Sequence, residues 1–432
     1  MDVQPNIRHW LLVVGVCLVM LTTSTTSNAL GFFIDPVTKE LGYTRTVFSI
    51  YSSLIAFIGM VSYPVIGKTF NKIGARKIII GYGIMGTSAL LGFSYSTSLF
   101  SFYFWGAFFG LAAPVSMLAT AILVNTWFID KKGTIMGIAT ACSGLGGGIF
   151  SIILPLIIES EGWRIGYLSL ALTLFVCTIP VAIFLIKNNP QSVGLKPYGA
   201  VKPRNSPEIE DHSHSEEKTS IPYAQALKSP TFYILYCGIL LLSICTSFIL
   251  HLPAYFVGEG LSALTAGGLM TIYMIAMIIA MILTGLLDDK IGTKNTLTLI
   301  YGLYILSFIL LANSSLYGMF VVVLVMMAFG QGSLSVLPAL LTSKIFGPKD
   351  YSGIFGIVAT AMALGFSIGA LMWSLMFDKS GSYNLGIFGA CVIIPFIFIS
   401  FLLALKTGNL VRTSSNTAFS MDGNENKALD GK

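Results

Sequence analysis

The sequence predicts an all-α integral membrane protein: twelve transmembrane helices in two six-helix, pseudo-symmetric lobes. Composition, the placement of basic residues and an internal duplication predict it. Of 432 residues, 55% are hydrophobic and 10% are charged. An ordinary soluble domain carries charge on roughly a quarter of its residues. Too few charges remain here to coat a water-facing surface, which excludes a soluble enzyme. The six cysteines (Cys17, Cys142, Cys177, Cys237, Cys245 and Cys391) lie in apolar stretches without C-x-x-C spacing. They read as packing residues, with no disulfide framework and no metal site.

Apolar runs long enough to cross a bilayer as helix fall at 10–33, 47–66, 78–95, 99–124, 134–158, 165–186, 231–256, 263–287, 296–312, 316–345, 354–377 and 385–405. Basic residues justify the breaks in order. Arg8 precedes the first run; Lys68, Lys72, Arg76 and Lys77 separate the second from the third; Lys131 and Lys132 separate the fourth from the fifth. Lys187 follows the sixth, Lys290 and Lys294 the eighth and Lys406 the twelfth, while Lys344 stands at the very end of the tenth and Lys349 just beyond it. With a cytoplasmic N-terminus, 21 of the 25 basic residues lie inside; only Lys39, Arg45, Arg164 and Lys379 lie outside. The positive-inside rule then places both termini in the cytoplasm and the chain in the cytoplasmic (inner) membrane. The net charge of +6 is a matter of membrane orientation, not of nucleic-acid binding.

Four segments follow: 1–186 as the N-terminal lobe, 187–229 as a cytoplasmic linker, 230–406 as the C-terminal lobe and 407–432 as a disordered tail. The linker holds Pro190, Pro197, Pro203 and Pro207, the acidic run 208–211, and His212 and His214. Such a composition buries no core of its own and reads as flexible.

The duplication is the most specific signal. Residues 67–77 read GKTFNKIGARK and 285–295 read GLLDDKIGTKN, sharing Lys-Ile-Gly at an offset of 218. The same offset relates Phe128 and Lys131 to Phe346 and Lys349. Gly144-x-x-x-Gly148 and Gly365-x-x-x-Gly369 supply small residues that let membrane helices approach closely. A parallel repeat of six helices is one that two-lobed transporters use, with substrate bound between the lobes.

This pair of turns resembles the signature turn of the major facilitator superfamily, over essentially the whole chain. Gly67, Asn71, Lys72, Gly74, Arg76 and Lys77 occupy its positions in the first copy, and Gly285, Asp289, Lys290, Gly292 and Lys294 in the second. Asn71 departs from the usual Asp. The resemblance implies that these turns pair with neighbouring helix ends and balance outward-open against inward-open states. A narrower series resembles the oxalate/formate antiporters and their monocarboxylate-porter relatives. It runs through 125–128 (NTWF), Lys131-Lys132-Gly133, Gly137, Gly144, Gly148, Pro190 and 194–198 (GLKPY). It implies small organic anions. Family members that grip carboxylates place a basic residue in the eighth and often the eleventh helix; 263–287 and 354–377 hold none, which argues against an oxalate-like dianion.

Polar side chains persist in a bilayer where they find a partner or face a wet cavity. On that ground Thr25 and Asn28 in the first helix, Tyr51 in the second, Thr246 in the seventh, Tyr273 in the eighth and Gln331 in the tenth are candidate substrate contacts. The competing readings are helix packing for the threonines, interfacial anchoring for the tyrosines and an interhelical hydrogen bond for Gln331. Asp35 and His251, near the outer ends of the first and seventh helices, are candidates for proton coupling or an outer gate. The expectation is a secondary active transporter, a functional monomer without cofactor, metal or nucleic-acid partner. It moves a small, monocarboxylate-like organic anion by proton symport or anion exchange. An efflux carrier for apolar compounds and a non-transporting membrane sensor are the alternatives, and one deep histidine is a poor set for an embedded enzyme.

Overall fold

Inside a bilayer every backbone N–H and C=O needs a partner within the protein, which a helix supplies along its own length. The computed structural model describes residues 6–200, 221–312, 317–348 and 350–429; the side chains of 24–31, 35, 45, 46, 49, 71, 263, 264, 317, 378 and 409–429 are outside the described set. The first lobe comprises α1 (Ile7–Ala29), α2 (Ile34–Leu41), α3 (Arg45–Ile73), α4 (Ala75–Ser94), α5 (Leu99–Ala112), α6 (Val115–Trp127), α7 (Lys132–Glu161) and α8 (Trp163–Phe184). A short helix, α9 (Tyr223–Lys228), leads into the second lobe. That lobe comprises α10 (Pro230–Thr246), α11 (Leu252–Gly258), α12 (Ala263–Ile291), α13 (Thr293–Ala312), α14 (Tyr317–Phe346), α15 (Tyr351–Ser380) and α16 (Asn384–Leu429). Among the described residues eleven helical stretches are long and apolar enough to cross a membrane, and Ile7–Thr23 is a shorter apolar helix that fits the twelfth position of the fold.

The two lobes repeat each other in their irregularities. α1 and α10 both give way to a 3₁₀ turn, at Leu30–Phe33 and Ser247–Leu250, before α2 and α11 resume. Pro36 and Pro253, 217 positions apart, stand just beyond these turns. A proline removes the N–H that would bond four residues back, so the α-helix cannot run straight through. Pro114 splits the fourth crossing into α5 and α6 by the same means.

Aromatic clusters hold each lobe together away from the basic turns. In the first, Tyr51 lies among Phe48, Phe93 and Phe102, and its hydroxyl meets that of Tyr167 at 3.2 Å. Tyr167 stacks on Phe33 at 3.7 Å. Beside them Glu40 accepts the Trp163 indole N–H at 2.6 Å and pairs with Arg164. The Arg164 guanidinium, then the Trp163 N–H, hold the Glu40 carboxyl below its usual 4.5. A lowered carboxyl pKa contributes stability in full above the ordinary value and loses it as pH falls through the lowered one. Glu40→Gln is therefore expected to flatten the acid limb of the melting-temperature profile below pH 4.5, with no change near neutrality beyond a constant offset. An unchanged acid limb would remove Glu40 from the pH response.

The linker is not free at its ends. Tyr198 exchanges backbone hydrogen bonds with Trp127 and Ile129, and His9 Nε2 lies 3.2 Å from the Lys196 carbonyl. At the other end Ile221 N–H donates to the Phe346 carbonyl at 3.0 Å. The flexible linker expected from composition is thus anchored on Phe128 and Phe346, the repeat-related pair; His212 and His214 lie outside the described residues. The backbone of α16 is helical as far as Leu429, beyond the Thr407 at which a disordered tail is expected; no proline interrupts it after Pro395.

Candidate functional site

The turns 67–77, 128–134, 285–295 and 346–351 gather at one end of the helices, the basic end. Here the lobes meet, and small residues set the distance. A Cβ built on Gly285 would fall on the Gly133 carbonyl oxygen, and one on Gly67 on that of Ser352. One turn further in, a Cβ on Gly137 would lie 2.5 Å from the Met281 carbonyl oxygen and one on Gly356 2.8 Å from that of Tyr63. Tyr63 and Met281 are again 218 apart. The seams α7/α12 and α3/α15 are therefore the same contact made twice, backbone against backbone.

Polar groups fasten the seam. Asp289 carboxylate oxygens accept the N–H groups of Gly133 at 3.0 Å and Thr134 at 2.6 Å and the Thr134 hydroxyl at 2.7 Å. An acid from one lobe thus caps the positive N-terminus of α7 in the other. Midway between the two seams the Ser343 hydroxyl donates to Asn125 Oδ1 at 2.5 Å. On the α3/α15 side, the Tyr223 N–H donates to Asp350 at 2.8 Å and the Lys68 ammonium sits 4.8 Å over the Tyr223 ring. Outward, Gly144 still touches Ile278, but a turn beyond, Gly148 and Met274 are exposed and a Cβ on Gly148 meets nothing within 4 Å. The lobes are closed at the basic end and part towards the other.

The remaining turn residues serve their own lobes. Gly74 and Gly292 have φ of +87° and +79°, a region that disfavours any side chain. Arg76 donates from Nε to the Ala182 carbonyl at 3.1 Å and from Nη2 to that of Ile183 at 2.8 Å, capping α8. Lys72 and Lys290 are exposed. The side chain of Asn71, with those of Thr25, Asn28 and Asp35, lies outside the described residues.

Other predicted contacts are distributed unevenly. Thr22 and Thr23, beside Thr25, bond Tyr82 at 3.0 Å and Ser116 at 2.8 Å, tying α1 to α4 and α6. Tyr51 and Tyr273 are buried at 0% and 2% exposure, so neither presents its ring to the space between the lobes in this conformation. Thr246 is buried and donates back to the Ser243 carbonyl at 3.1 Å. Gln331 is half-buried on α14, and its Oε1 is buried without a hydrogen-bond partner. Both ring nitrogens of His251 are engaged within the second lobe, Nδ1 with the Tyr383 hydroxyl at 3.3 Å and Nε2 with the Ala370 carbonyl at 3.1 Å. Neutral imidazole with its proton on Nε2 satisfies both.

Sequence reasoning missed the pair Asp288–Lys344, 2.6 Å apart, with Thr293 Oγ1 2.5 Å from the same ammonium. It also missed Asn125–Ser343, although extending the 218 offset to those two positions would have found it.

The sequence matches the family profile described as Major Facilitator Superfamily over residues 15–312 and 259–420. It is 26% identical to "MFS-type transporter pynF" of Aspergillus niger over 306 residues, 68% of this chain and 63% of that protein. It is 24% identical to "Monocarboxylate transporter 12" of Rattus norvegicus over 405 residues, 87% of this chain and 81% of that one. The fold superposes with a TM-score of 0.70 on the transporter FucP in the outward conformation, at 12% identity, covering 92% of this chain and 98% of FucP. By fold, by its twice-made seam and by this match, the chain is a multi-pass membrane transporter, not an enzyme, and belongs to the Major Facilitator Superfamily.

Proposed function

We propose that the protein moves a small, monocarboxylate-like organic anion across the cytoplasmic membrane by alternating access, driven by proton symport or anion exchange, with both termini cytoplasmic. The observation that carries the substrate class is the likeness to a monocarboxylate transporter along most of both chains. Mechanism follows from the seam. Cargo enters between the lobes while the basic end is shut, and release requires Gly133 to leave Gly285, Gly67 to leave Ser352 and Asp289 to give up the N-terminus of α7. Cargo that draws the outer halves together offsets the cost of parting these contacts. Gln331 Oε1, an unpartnered acceptor at mid-span, favours a ligand that brings a donor, such as a protonated carboxyl group or a hydroxyl. Thr25, Asn28, Thr246 and the two tyrosines belong to the same proposal as contacts made at some stage of the cycle, with Asp35 and His251 as the outer pH-sensitive groups. In proteoliposomes, labelled lactate or pyruvate is expected to show counterflow, and an inward proton gradient to drive its accumulation unless exchange is the energy source. Counterflow of amino acids or hydrophobic cations, with none of carboxylates, would replace the anion reading.

A further inference from the structure

His9 stands in the first turn of α1, at the basic end, with 1% of its surface exposed. Trp127, Phe128 and Tyr198 surround its ring, their centroids 5.7, 5.9 and 6.2 Å away. Nδ1 accepts the Asn6 backbone N–H at 3.1 Å, so Nε2 carries the proton and donates it to the Lys196 carbonyl at 3.2 Å. A second proton would set a donor on Nδ1 against the donor of Asn6 and break that bond. It would also place a positive charge at the positive end of α1, away from water. On the elements packed around the ring, the described charged groups are Arg8 on α1, Asp130 and Lys131 on the turn, Lys132 on α7, and Lys187 and Lys196 on the linker. The one acid among them, Asp130, is exposed and accepts the Lys131 N–H at 2.9 Å. Among the described residues the imidazole has no carboxylate partner.

The backbone beside this ring is strained. Lys131, immediately before α7, is the one described residue other than glycine with a positive φ, +57°. Such a conformation costs free energy and persists where its surroundings enforce it. The linker does the enforcing. The Tyr198 carbonyl accepts the N–H groups of Ile129 at 2.8 Å and Asp130 at 3.2 Å, and the Lys131 ammonium lies 5.8 Å over the Tyr198 ring. Just beyond Lys131, Gly133 and Thr134 present their N–H groups to Asp289 of the other lobe. We propose that His9 is a proton-responsive clamp on this turn. Neutral, it fastens linker residues 196–198 against the turn, holds Lys131 in its strained conformation and keeps the N-terminus of α7 aimed at Asp289. Protonated, it releases the linker, the turn relaxes and the seam loosens. Acid on the basic side therefore shifts the population towards an open basic end. The proposal rests on the seam as the closed end of the carrier, not on the nature of the cargo.

The test is hydrogen exchange of the full chain in detergent, each variant compared with the parent at the same pH so that intrinsic rates cancel. The pH is lowered from about 7.5 to about 5.5, across the range in which histidine gains charge. Exchange at 129, 130, 133, 134 and 198 is expected to rise about fivefold in the parent relative to His9→Gln, roughly the worth of one net hydrogen bond. His9→Asn, a second uncharged variant, should be as unresponsive as His9→Gln. In Lys131→Gly the glycine adopts a positive φ without strain, so the response should persist at 198 and fade at 133 and 134. Alkylation of a Ser352→Cys reporter in the other seam, again as the ratio of parent to His9→Gln at one pH, should rise in step. No cargo enters these measurements, so failure of the carboxylate reading leaves them intact. An equal pH response in the parent and both His9 variants, a response at 198 with none at 133 and 134 in the parent, or stronger protection at acid pH would each overturn the assignment.

Discussion

Gly285→Ala is expected to hold the basic end apart and to lower the counterflow rate by an order of magnitude or so. The added Cβ meets the Gly133 carbonyl group and lies 3.1 Å from Thr134 N. These are backbone atoms, which cannot rotate out of the way as a side chain would, so α7 and α12 must separate. Overpacking of this kind costs about 1–3 kcal/mol, a shift of roughly 5- to 150-fold in the equilibrium between closed and open. Asp289→Asn should act in the same direction more weakly. Loss of an anion from a helix N-terminus costs about 0.3–1 kcal/mol, or about 2- to 5-fold. Asn71→Ala should act less again, because position 71 carries no charge to lose. The readout is the alkylation rate of a single Ser352→Cys reporter, buried at 2% in the closed seam, together with counterflow. Gly302→Ala and Gly389→Ala, where a Cβ meets nothing within 4 Å, are the controls. Parent-like alkylation and transport in Gly285→Ala would show that this seam does not govern the cycle.

Lys344→Met is expected to destabilise the protein by about 3 kcal/mol, because it leaves a buried carboxylate without its cation. Asp288 has a side-chain exposure of 1%, against 39% for Lys344, and its Oδ1 already lacks a partner. Removing the ammonium leaves both oxygens dependent on protonation or on water entering the lobe. The double variant Asp288→Asn/Lys344→Met should recover much of the loss, since a neutral amide is far cheaper to bury than a lone charge. Thermal unfolding in detergent measures both. A double variant no more stable than Lys344→Met would assign the loss to packing of the lysine stem.

Why Asp288 escaped the sequence reading is instructive. Lys344 reads as a loop cation because the apolar run ends beside it, yet α14 continues through Phe346 and carries the ammonium back to α12. Its partner is 56 residues away and adjacent to Asp289, so nothing local separates the acid that stays in its lobe from the acid that crosses. The spans and the 218 offset were legible because they rest on run length and register, which one chain records in full. The faces of the helices were not. Lipid is as apolar as a protein interior, so a spanning helix carries little of the amphipathic pattern that tells core from surface in a soluble protein. Tyr51 and Tyr273 show the result: their matching places in the two repeats are as compatible with a packed cluster as with a ligand contact, and both are buried.

The meeting of Asn125 with Ser343 bears on how such a chain could arise. In a symmetric dimer of identical six-helix halves, a residue beside the two-fold axis faces its own copy, and an isologous contact must be self-complementary. Identical partners there can be serine with serine or asparagine with asparagine, each obliged to act as donor and acceptor towards itself. Once both halves are encoded in one polypeptide, the two positions mutate separately. One can then specialise as acceptor, as the Asn125 carbonyl oxygen does, and the other as donor, as the Ser343 hydroxyl does. Joining the halves therefore makes available a directional bond on the axis that no homodimer of either half could form, and with it a latch that each lobe can retune without altering the other.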